Sequence, residues 1–281
     1  MQINKFNRLR LVLAISVAGI MPAVADAAIL NAGLGGTFTM NMDRNALALS
    51  TGGTPGKPGH FLVDYFDTAE SDFTTRTDSS FYLGNSNRTE MPAVNLVHDI
   101  TPISATDPAN QAPNRYVKST SPDFAVDSEA LTATGVLGMT GVELYKGLYN
   151  GALIAGDYSL HYNLAERLET WDFLGLSGTP SGWYLQNNIS FAMVVYEFAN
   201  LNLQVTDAEN WQLSGDLLLS PANAGLLKAP LLSDVGNFCL GVGAHAGCGQ
   251  VSNVPVPAAV WLFGSGLTGL GYAGLRGRRS T

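Results

Sequence analysis

Apolar and polar residues alternate through much of the middle of the chain. Phe38, Met40 and Met42 alternate with the polar residues between them, and the run 158–164 repeats the pattern. A period of two residues is typical of strands with one buried face. Further runs rich in aromatic and β-branched residues predict strands at 60–66, 80–83, 93–100, 183–198, 201–205, 211–219 and 235–242.

Turn-forming segments separate these runs. Segments 51–59, 177–182 and 220–223 are rich in Gly, Pro, Ser, Thr or Asn. Helix is predicted only in short pieces such as 224–232. Many short strands between such turns predict an all-β domain, built as an antiparallel β-sandwich or jelly roll.

The alternation is lost between residues 101 and 123. Four prolines stand there among Asn, Ser and Thr. This composition predicts a long surface loop, or a linker between two small sheets. Because neither half of the chain is clearly self-sufficient, we predict one secreted domain over 28–253 that contains this Pro-rich loop.

The N-terminus has the three parts of a signal peptide. Three basic residues between 5 and 10 precede an apolar stretch at 11–21, and small residues at 23–27 suit a cleavage site. The alternative is an uncleaved signal anchor, but the apolar stretch is short for a membrane span. We therefore predict a signal peptide over 1–27.

The C-terminus combines a proline motif, an apolar run and a cluster of arginines. The run 258–275 contains 18 uncharged residues, about 27 Å as a helix, which just crosses a hydrocarbon core. Arginines favour the cytoplasmic face, so the domain before the run is expected outside the inner membrane. The motif is Val254, Pro255, Pro257 and Ala258, and the cluster is Arg276, Arg278 and Arg279.

This tail resembles the PEP-CTERM class of sorting domains, in the variant that begins Val-Pro-x-Pro-Ala. The resemblance covers 254–281, with Val256 in place of the name-giving glutamate. It implies that an exosortase, a membrane-embedded enzyme, recognises the proline motif and that the arginines stop transfer. It also implies a Gram-negative host, transient anchoring in the inner membrane, and then a cell-surface or extracellular location. The alternative is a plain membrane anchor.

Residues from about 135 to 240 are also similar to a stretch common in PEP-CTERM secreted proteins. The similar pieces are 138–142, 156–160, 181–189, 213–217 and 234–238. This second resemblance implies a secreted β domain and no particular activity.

Charge limits the class of partner. The two ends hold six of the 15 Lys and Arg residues and one of the 23 acidic residues, so 28–253 contains 9 basic and 22 acidic residues. A surface with that acidic excess repels phosphate backbones. Together with the lack of a basic stripe, this argues against nucleic acid as a partner.

Cys239 and Cys248 are the only cysteines, and they flank a Gly-rich segment. Export to an oxidising compartment favours a disulfide between them, worth about 2–3 kcal/mol for a loop of this length. A metal site that adds His245 is the alternative, but it lacks a fourth ligand.

We find no catalytic constellation in the sequence. His60, His98, His161 and His245 are scattered without metal-site spacing, and we predict that they are turn or strand-surface residues. No Gly-x-Ser-x-Gly elbow is present. The glycine-rich segment 33–36 leads into a strand and lacks the spacing of a nucleotide loop, so no cofactor is predicted.

Two groups of carboxylates and one group of aromatics remain as candidates for chemistry. A glycosidase needs two carboxylates across a cleft, and a carbohydrate-binding site often uses an aromatic platform. We predict instead solvated acidic loops, with calcium as an alternative for the first group, and aromatics in the core. The groups are Asp64, Asp67, Glu70 and Asp72; Glu166, Glu169 and Asp172; and Trp171, Trp183, Tyr184 and Trp211.

The sequence therefore favours a non-enzymatic cell-surface or matrix protein, delivered by an exosortase and associated with exopolysaccharide or biofilm. The first alternative is a secreted carbohydrate-binding module or carbohydrate-active enzyme on a jelly roll. The second is a membrane-anchored scaffold that keeps its C-terminal helix.

Overall fold

The computed structural model describes residues 28–53, 59–66, 81–82, 84, 89–147 and 152–248. The predicted signal peptide and sorting tail lie outside the described residues, as do Asp67, Glu70 and Asp72 of the first carboxylate group. Within the described part, none of the helices is long and apolar enough to cross a bilayer.

Most of the regular structure in these residues is β, so the predicted all-β class is confirmed. The strands are β1 (Ile29–Leu30), β2 (Gly36–Met42), β3 (His60–Phe66), β4 (Leu96–Asp99), β5 (Ala125–Asp127), β6 (Thr132–Thr134), β7 (Leu137–Gly138), β8 (Val142–Gly147), β9 (Ala152–Gly156), β10 (Ser159–Tyr162), β11 (Trp183–Asn187), β12 (Met193–Asp207), β13 (Asn210–Leu219) and β14 (Asp234–Val242). The helices are α1 (Arg44–Ser50), α2 (Leu164–Leu174) and α3 (Pro221–Leu227), and a single 3-10 turn follows at Gly243–His245.

The largest sheet has eight antiparallel strands in the order β4-β2-β14-β13-β12-β11-β10-β7. Two three-stranded antiparallel sheets, β3-β8-β9 and β1-β5-β6, complete the described strands. The long hairpin β12–β13 turns at 207–210, where the Asp207 carboxylate accepts hydrogen bonds from the Glu209 backbone N–H and the Asn210 side chain. Asp is favoured in such turns because its carboxylate satisfies backbone N–H groups.

The core follows the period-two pattern of the strands. On β2 the alternating apolar residues Phe38, Met40 and Met42 are all buried, and Phe38 stacks on Phe238 of β14 with ring centroids 5.4 Å apart. Phe198 on β12 stacks on both rings, with centroids 3.9 Å from Phe238 and 6.1 Å from Phe38. Burial of each such ring stabilises the fold by about 1.5–3 kcal/mol. One cluster of buried apolar side chains extends from Leu30 to Val242.

Helix α3 overlaps the predicted helix at 224–232 but begins earlier. The Ser220 hydroxyl caps it by accepting from the Asn223 N–H at 3.1 Å, and Pro221 occupies the first turn. Serine followed by proline is therefore a helix start here and not the predicted turn.

The alternating run 158–164 predicts a strand to its end, and helix α2 contradicts this prediction. The strand β10 stops at Tyr162, and Asn163 caps the helix by accepting from the Glu166 N–H at 3.1 Å. The Glu166 carboxylate also accepts from the Asn163 side-chain amide at 3.1 Å, which holds the capping side chain in place. Gly175, with φ of 65°, ends the helix.

Several predicted strands match observed ones and others do not. The runs at 60–66, 93–100, 211–219 and 235–242 contain β3, β4, β13 and β14. The run 183–198 was predicted as one strand but is two, since the chain turns at 188–192 between β11 and β12. The predicted strand at 80–83 is wrong where it is described, because Phe81 and Tyr82 have helical backbone.

The Pro-rich loop contains no named strand, in agreement with the prediction. It is not simply a surface loop, however. Arg115, Val117 and Thr120 are each at most 2 % exposed. The loop therefore runs back into the interior and delivers a cation there.

Candidate functional site

One face of the eight-stranded sheet points away from the core on β2, β14, β13 and β12, and forms a shallow depression of about 420 Å³. We call the outward residues of these four strands the open face. They are Thr37, Thr39 and Asn41 on β2; Asn237, Cys239 and Gly241 on β14; Gln212, Ser214 and Asp216 on β13; and Asn200, Asn202 and Gln204 on β12.

The open face is polar but almost uncharged. Amides and hydroxyls make up most of its side chains, and Asp216 is the single charged residue in the set. Asn200, Asn202, Gln204 and Asn237 are exposed. Such a surface offers many hydrogen-bond donors and acceptors without attracting either sign of charge strongly.

Hydrogen bonds connect one row of the open face across the strands. The Asn41 amide donates to the Asn237 carbonyl oxygen at 3.1 Å, and Asn41 and Asn237 are register partners on β2 and β14. Asp216 on β13 pairs with Asn237 and accepts from the Asn200 amide at 2.6 Å. An irregularity in β12, with φ of 50° at Asn200, brings that amide over Asp216.

The two cysteines form one wall of the depression. Cys239 points outward from β14, and its sulfur lies 2.07 Å from that of Cys248, so the predicted pairing is confirmed at disulfide distance. The Gly247 N–H also donates to the Thr37 hydroxyl at 2.7 Å. These contacts hold segment 243–248 over the sheet. The segment lies so close to Gly241 that a Cβ atom there would be 1.9 Å from the His245 carbonyl oxygen.

Helix α2 covers the outward side of the same sheet on β11 and β12. Arg167 reaches down from the helix, donates to Glu197 at 3.0 Å and lies over the Tyr184 ring at 4.8 Å. His161 on β10 stacks on the same tyrosine ring, with centroids 5.2 Å apart. Burial lowers the pKa of His161 to about 4. The helix thus closes this part of the face and leaves the four-stranded part open.

A network of buried polar groups lies on the inner side, around Glu143 of β8. Its carboxylate contacts His98 Nε2 at 3.0 Å and accepts from the hydroxyls of Tyr145 at 2.7 Å and Tyr158 at 2.9 Å. The other nitrogen of His98 lies 3.1 Å from the carbonyl oxygen of Thr140, which can only accept, so Nδ1 donates. Burial raises the pKa of both tyrosines well above 10.0, and Glu143 raises it further.

A second buried pair joins this network. Arg115 from the Pro-rich loop makes a two-point ion pair with Asp157, which is 0 % exposed, and also donates to the Tyr82 hydroxyl. Burial raises the pKa of Asp157, and the guanidinium of Arg115 opposes that shift. Since both charges are removed from water, each depends on the other for its solvation.

A small cavity lies between the sheet β3-β8-β9 and the main sheet, beside the helices α1 and α3. Water-sized molecules have about 20 Å³ of space there, room for one or two waters. His60 and Asn223 contribute polar atoms to its lining, and the Asn223 carbonyl oxygen has no hydrogen-bond partner in the described residues. Burial lowers the pKa of His60 to about 4.

The structure corrects the prediction for two histidines. His60 and His98 are buried at 7 % and 0 % exposure and are not turn or surface residues. From the sequence of one strand, a buried histidine cannot be told from a surface histidine, because its partner is distant in sequence. The partner of His98 is Glu143, 45 residues away. The other two, His161 and His245, are partly exposed as predicted.

The aromatic candidates are core residues, as predicted. Trp183 and Trp211 are fully buried, Trp171 and Tyr184 nearly so, and no exposed platform forms from these four. The carboxylates Glu166, Glu169 and Asp172 are exposed as predicted, but they lie on helix α2 and not on a loop. Of the first group, only Asp64 is described, and it is partly exposed on β3.

Sequence reasoning missed the three charged residues that form the buried polar network and its neighbouring ion pair. Arg115, Glu143 and Asp157 are charged residues in strands or loops, and nothing local shows that they meet inside. One weak signal for a buried carboxylate was available. Glu143 is the single polar residue in the run from Val142 to Tyr145, whereas a strand with one exposed face would have a polar residue at every second position. The glycine and asparagine residues of the open face carry no motif at all.

No group of three or more His, Cys, Asp or Glu residues suited to a metal ion occurs within the described ranges. The two sulfur atoms are bonded to each other, and His245 contacts the Thr206 hydroxyl instead. The predicted alternative of a metal site at these cysteines is therefore not supported by the donor set.

The described fold is an all-β protein with one large antiparallel sheet and an open polar face. The chain matches no family model, and comparisons with the curated proteins and with the solved structures find no similar protein.

Proposed function

We propose that the chain is an exported, non-enzymatic surface or matrix protein that associates with exopolysaccharide through the open face. The observation that carries the proposal is the open face itself. A sheet surface lined by amides, hydroxyls and one carboxylate suits the hydroxyl groups of a neutral polysaccharide. An anionic ligand would find no cation among these residues.

Export is the other part of the proposal. The signal peptide over 1–27 and the sorting tail over 254–281 would deliver the domain to the outside through an exosortase. The paired cysteines support this direction, because such bonds persist in oxidising compartments. We further propose that the sheets pack as the two layers of a β-sandwich, in keeping with the turn spacing of the sequence.

Fractionation tests the sorting step. The full chain and a chain that ends at residue 253 are expressed in an exosortase-producing host, and the medium, envelope and cytosol are compared. Loss of extracellular delivery on truncation is expected, whereas unchanged delivery contradicts sorting by the tail. The intact mass of the mature protein then shows whether either end is removed. A mass that includes the tail favours the membrane-anchored scaffold.

Affinity electrophoresis tests the binding step. The purified chain is run in gels with and without a neutral polysaccharide, such as dextran or galactomannan, or an acidic one, such as alginate. Retardation by a neutral polymer and not by alginate is expected. Equal mobility in every gel contradicts the binding proposal.

The carbohydrate-active enzyme is the second candidate function. It requires two carboxylates at a groove that admits substrate. In the described part of the chain, the open face contains Asp216 alone, while Glu143 and Asp157 are fully buried. This arrangement favours binding over hydrolysis. Release of new reducing ends from a neutral polysaccharide, lost in Asp216→Ala, would support the enzyme instead.

A further inference from the structure

The direction of the hydrogen bonds in the open face can be derived from one backbone group. The Asn95 N–H, which can only donate, lies 2.9 Å from the side chain of Asn41. The Asn41 atom facing it must therefore be the carbonyl oxygen, and its NH₂ group must face Asn237. Since an NH₂ group donates, the Asn237 atom that meets it at 3.1 Å is the carbonyl oxygen.

With these hydrogen-bond directions, the Asn237 NH₂ group points away from Asn41. Among the described residues, Asn237 makes no other side-chain hydrogen bond. Its side chain is exposed, so the NH₂ group is available to a ligand.

The neighbouring strand supplies an acceptor beside this donor. Asp216 is the register partner of Asn237, and cross-strand partners have Cβ atoms about 5 Å apart. One oxygen of Asp216 accepts from Asn200, while the other has no partner in the described residues. A free donor and a free charged acceptor thus stand side by side at the floor of the depression.

We propose that Asn237 and Asp216 form the hydroxyl-binding centre of the open face, and that the ligand is a neutral polysaccharide with two adjacent hydroxyl groups on one sugar ring. One hydroxyl accepts from the Asn237 NH₂ group, and its neighbour donates to the Asp216 carboxylate. This inference rests on the proposed function, because it names the ligand chemistry of the same surface.

Two features of the surroundings support this assignment. Asn41 donates to the carbonyl oxygen of Asn237, and Asn200 donates to one carboxylate oxygen of Asp216. The Asn237 NH₂ group and the other Asp216 oxygen are therefore oriented before a ligand arrives. The wall at Cys248 closes one side of the depression. The carboxylate repels acidic polymers, which restricts the ligand to neutral chains.

The decisive variant is Asn237→Asp. It keeps an oxygen that accepts from Asn41 but replaces the free donor with a second acceptor next to Asp216. The matched control is Asn110→Asp, which makes the same substitution at an exposed position of the Pro-rich loop, outside the open face. Asp216→Ala is the second test variant. Circular dichroism and urea unfolding show whether each variant is folded.

Binding is measured by isothermal titration with short neutral oligosaccharides, alongside the gel assay. We expect both test variants to weaken binding about tenfold or more. Asp216→Ala removes a charge-assisted hydrogen bond, and Asn237→Asp replaces the donor with an acceptor that repels the hydroxyl oxygen and the neighbouring Asp216. We expect the control to retain binding within about threefold.

The outcomes separate the inference from the proposed function. If the native chain binds neutral polysaccharide and Asn237→Asp behaves like Asn110→Asp, the inference is wrong and the proposed function stands. If the native chain binds no neutral polysaccharide, both are wrong. Sedimentation equilibrium tests another occupant: a dimer that Asn237→Asp dissociates, without glycan binding, would assign the face to a second copy of the chain and overturn the inference.

Discussion

The carboxylate of Glu143 is the acceptor for three buried donors, and its replacement should separate hydrogen bonding from charge. In Glu143→Met the shape of the side chain is roughly kept but every acceptor is lost. His98 and the hydroxyls of Tyr145 and Tyr158 then lose the partner that they have at 2.7–3.0 Å. In Glu143→Gln one oxygen remains for the two hydroxyls. In the native chain both ring nitrogens of His98 face acceptors and therefore donate. In Glu143→Gln the imidazole releases its Nε2 proton, and Nε2 then accepts from the new NH₂ group.

The expected magnitudes follow from this count. Each buried donor without a partner costs about 1–3 kcal/mol, so three cost about 3–9 kcal/mol. The apolar side chain returns about 1.5–3 kcal/mol of burial. Rotation of the hydroxyls toward other partners offsets part of the rest. We therefore expect Glu143→Met to destabilise by about 3–5 kcal/mol, within the range for breaking a buried charge pair, and Glu143→Gln by less than about 1.5 kcal/mol.

Urea unfolding followed by tryptophan fluorescence measures both values. A loss of about 3–5 kcal/mol corresponds to a fall in Tm of about 10 °C for a domain of this size. Glu129→Gln, at an exposed turn position, is the control and should lie within about 0.5 kcal/mol of the native chain. Equal destabilisation by the Met and Gln variants would refute the donor count, and so would a Met variant as stable as the control.

Three further predictions concern the interior and the wall of the depression. An unfolded histidine takes up its proton near pH 6.5, whereas burial lowers the pKa of His60 to about 4. The His60 contribution to stability should therefore fall by about 3 kcal/mol between pH 6.5 and 4, and His60→Phe should remove this part of the decline in urea titrations, whereas an unchanged decline would contradict the shift. Replacing Cys239 and Cys248 with serine opens a loop of about ten residues and should cost about 2.7 kcal/mol, with weaker polysaccharide binding; unchanged binding would show that the wall is dispensable. Trp183→Phe removes the indole N–H bond to a loop carbonyl at 2.7 Å and should cost about 1–3 kcal/mol, and a smaller loss would mean that water replaces the bond.

The sequence by itself determined the local features of this chain. Alternation in β2 showed that Phe38, Met40 and Met42 point inward, because side chains on a strand change face at every step. The two cysteines had no other cysteine to pair with, so predicted export favoured a disulfide over a metal site, and the structure confirms the pair. Where two local signals competed, local reasoning failed: the strand pattern at 158–164 concealed the helix start at Asn163.

The tertiary structure alone decided which strands are neighbours, and both sites depend on that. Asn41 and Asn237 are 196 residues apart in sequence, and His98 and Glu143 are 45 apart. A period of two shows the face on which a side chain lies but not what stands opposite, since register is set by the packing of the whole sheet. A lone Asp, Asn or His in a strand therefore resembles a solvated residue until the fold places a donor or an acceptor beside it.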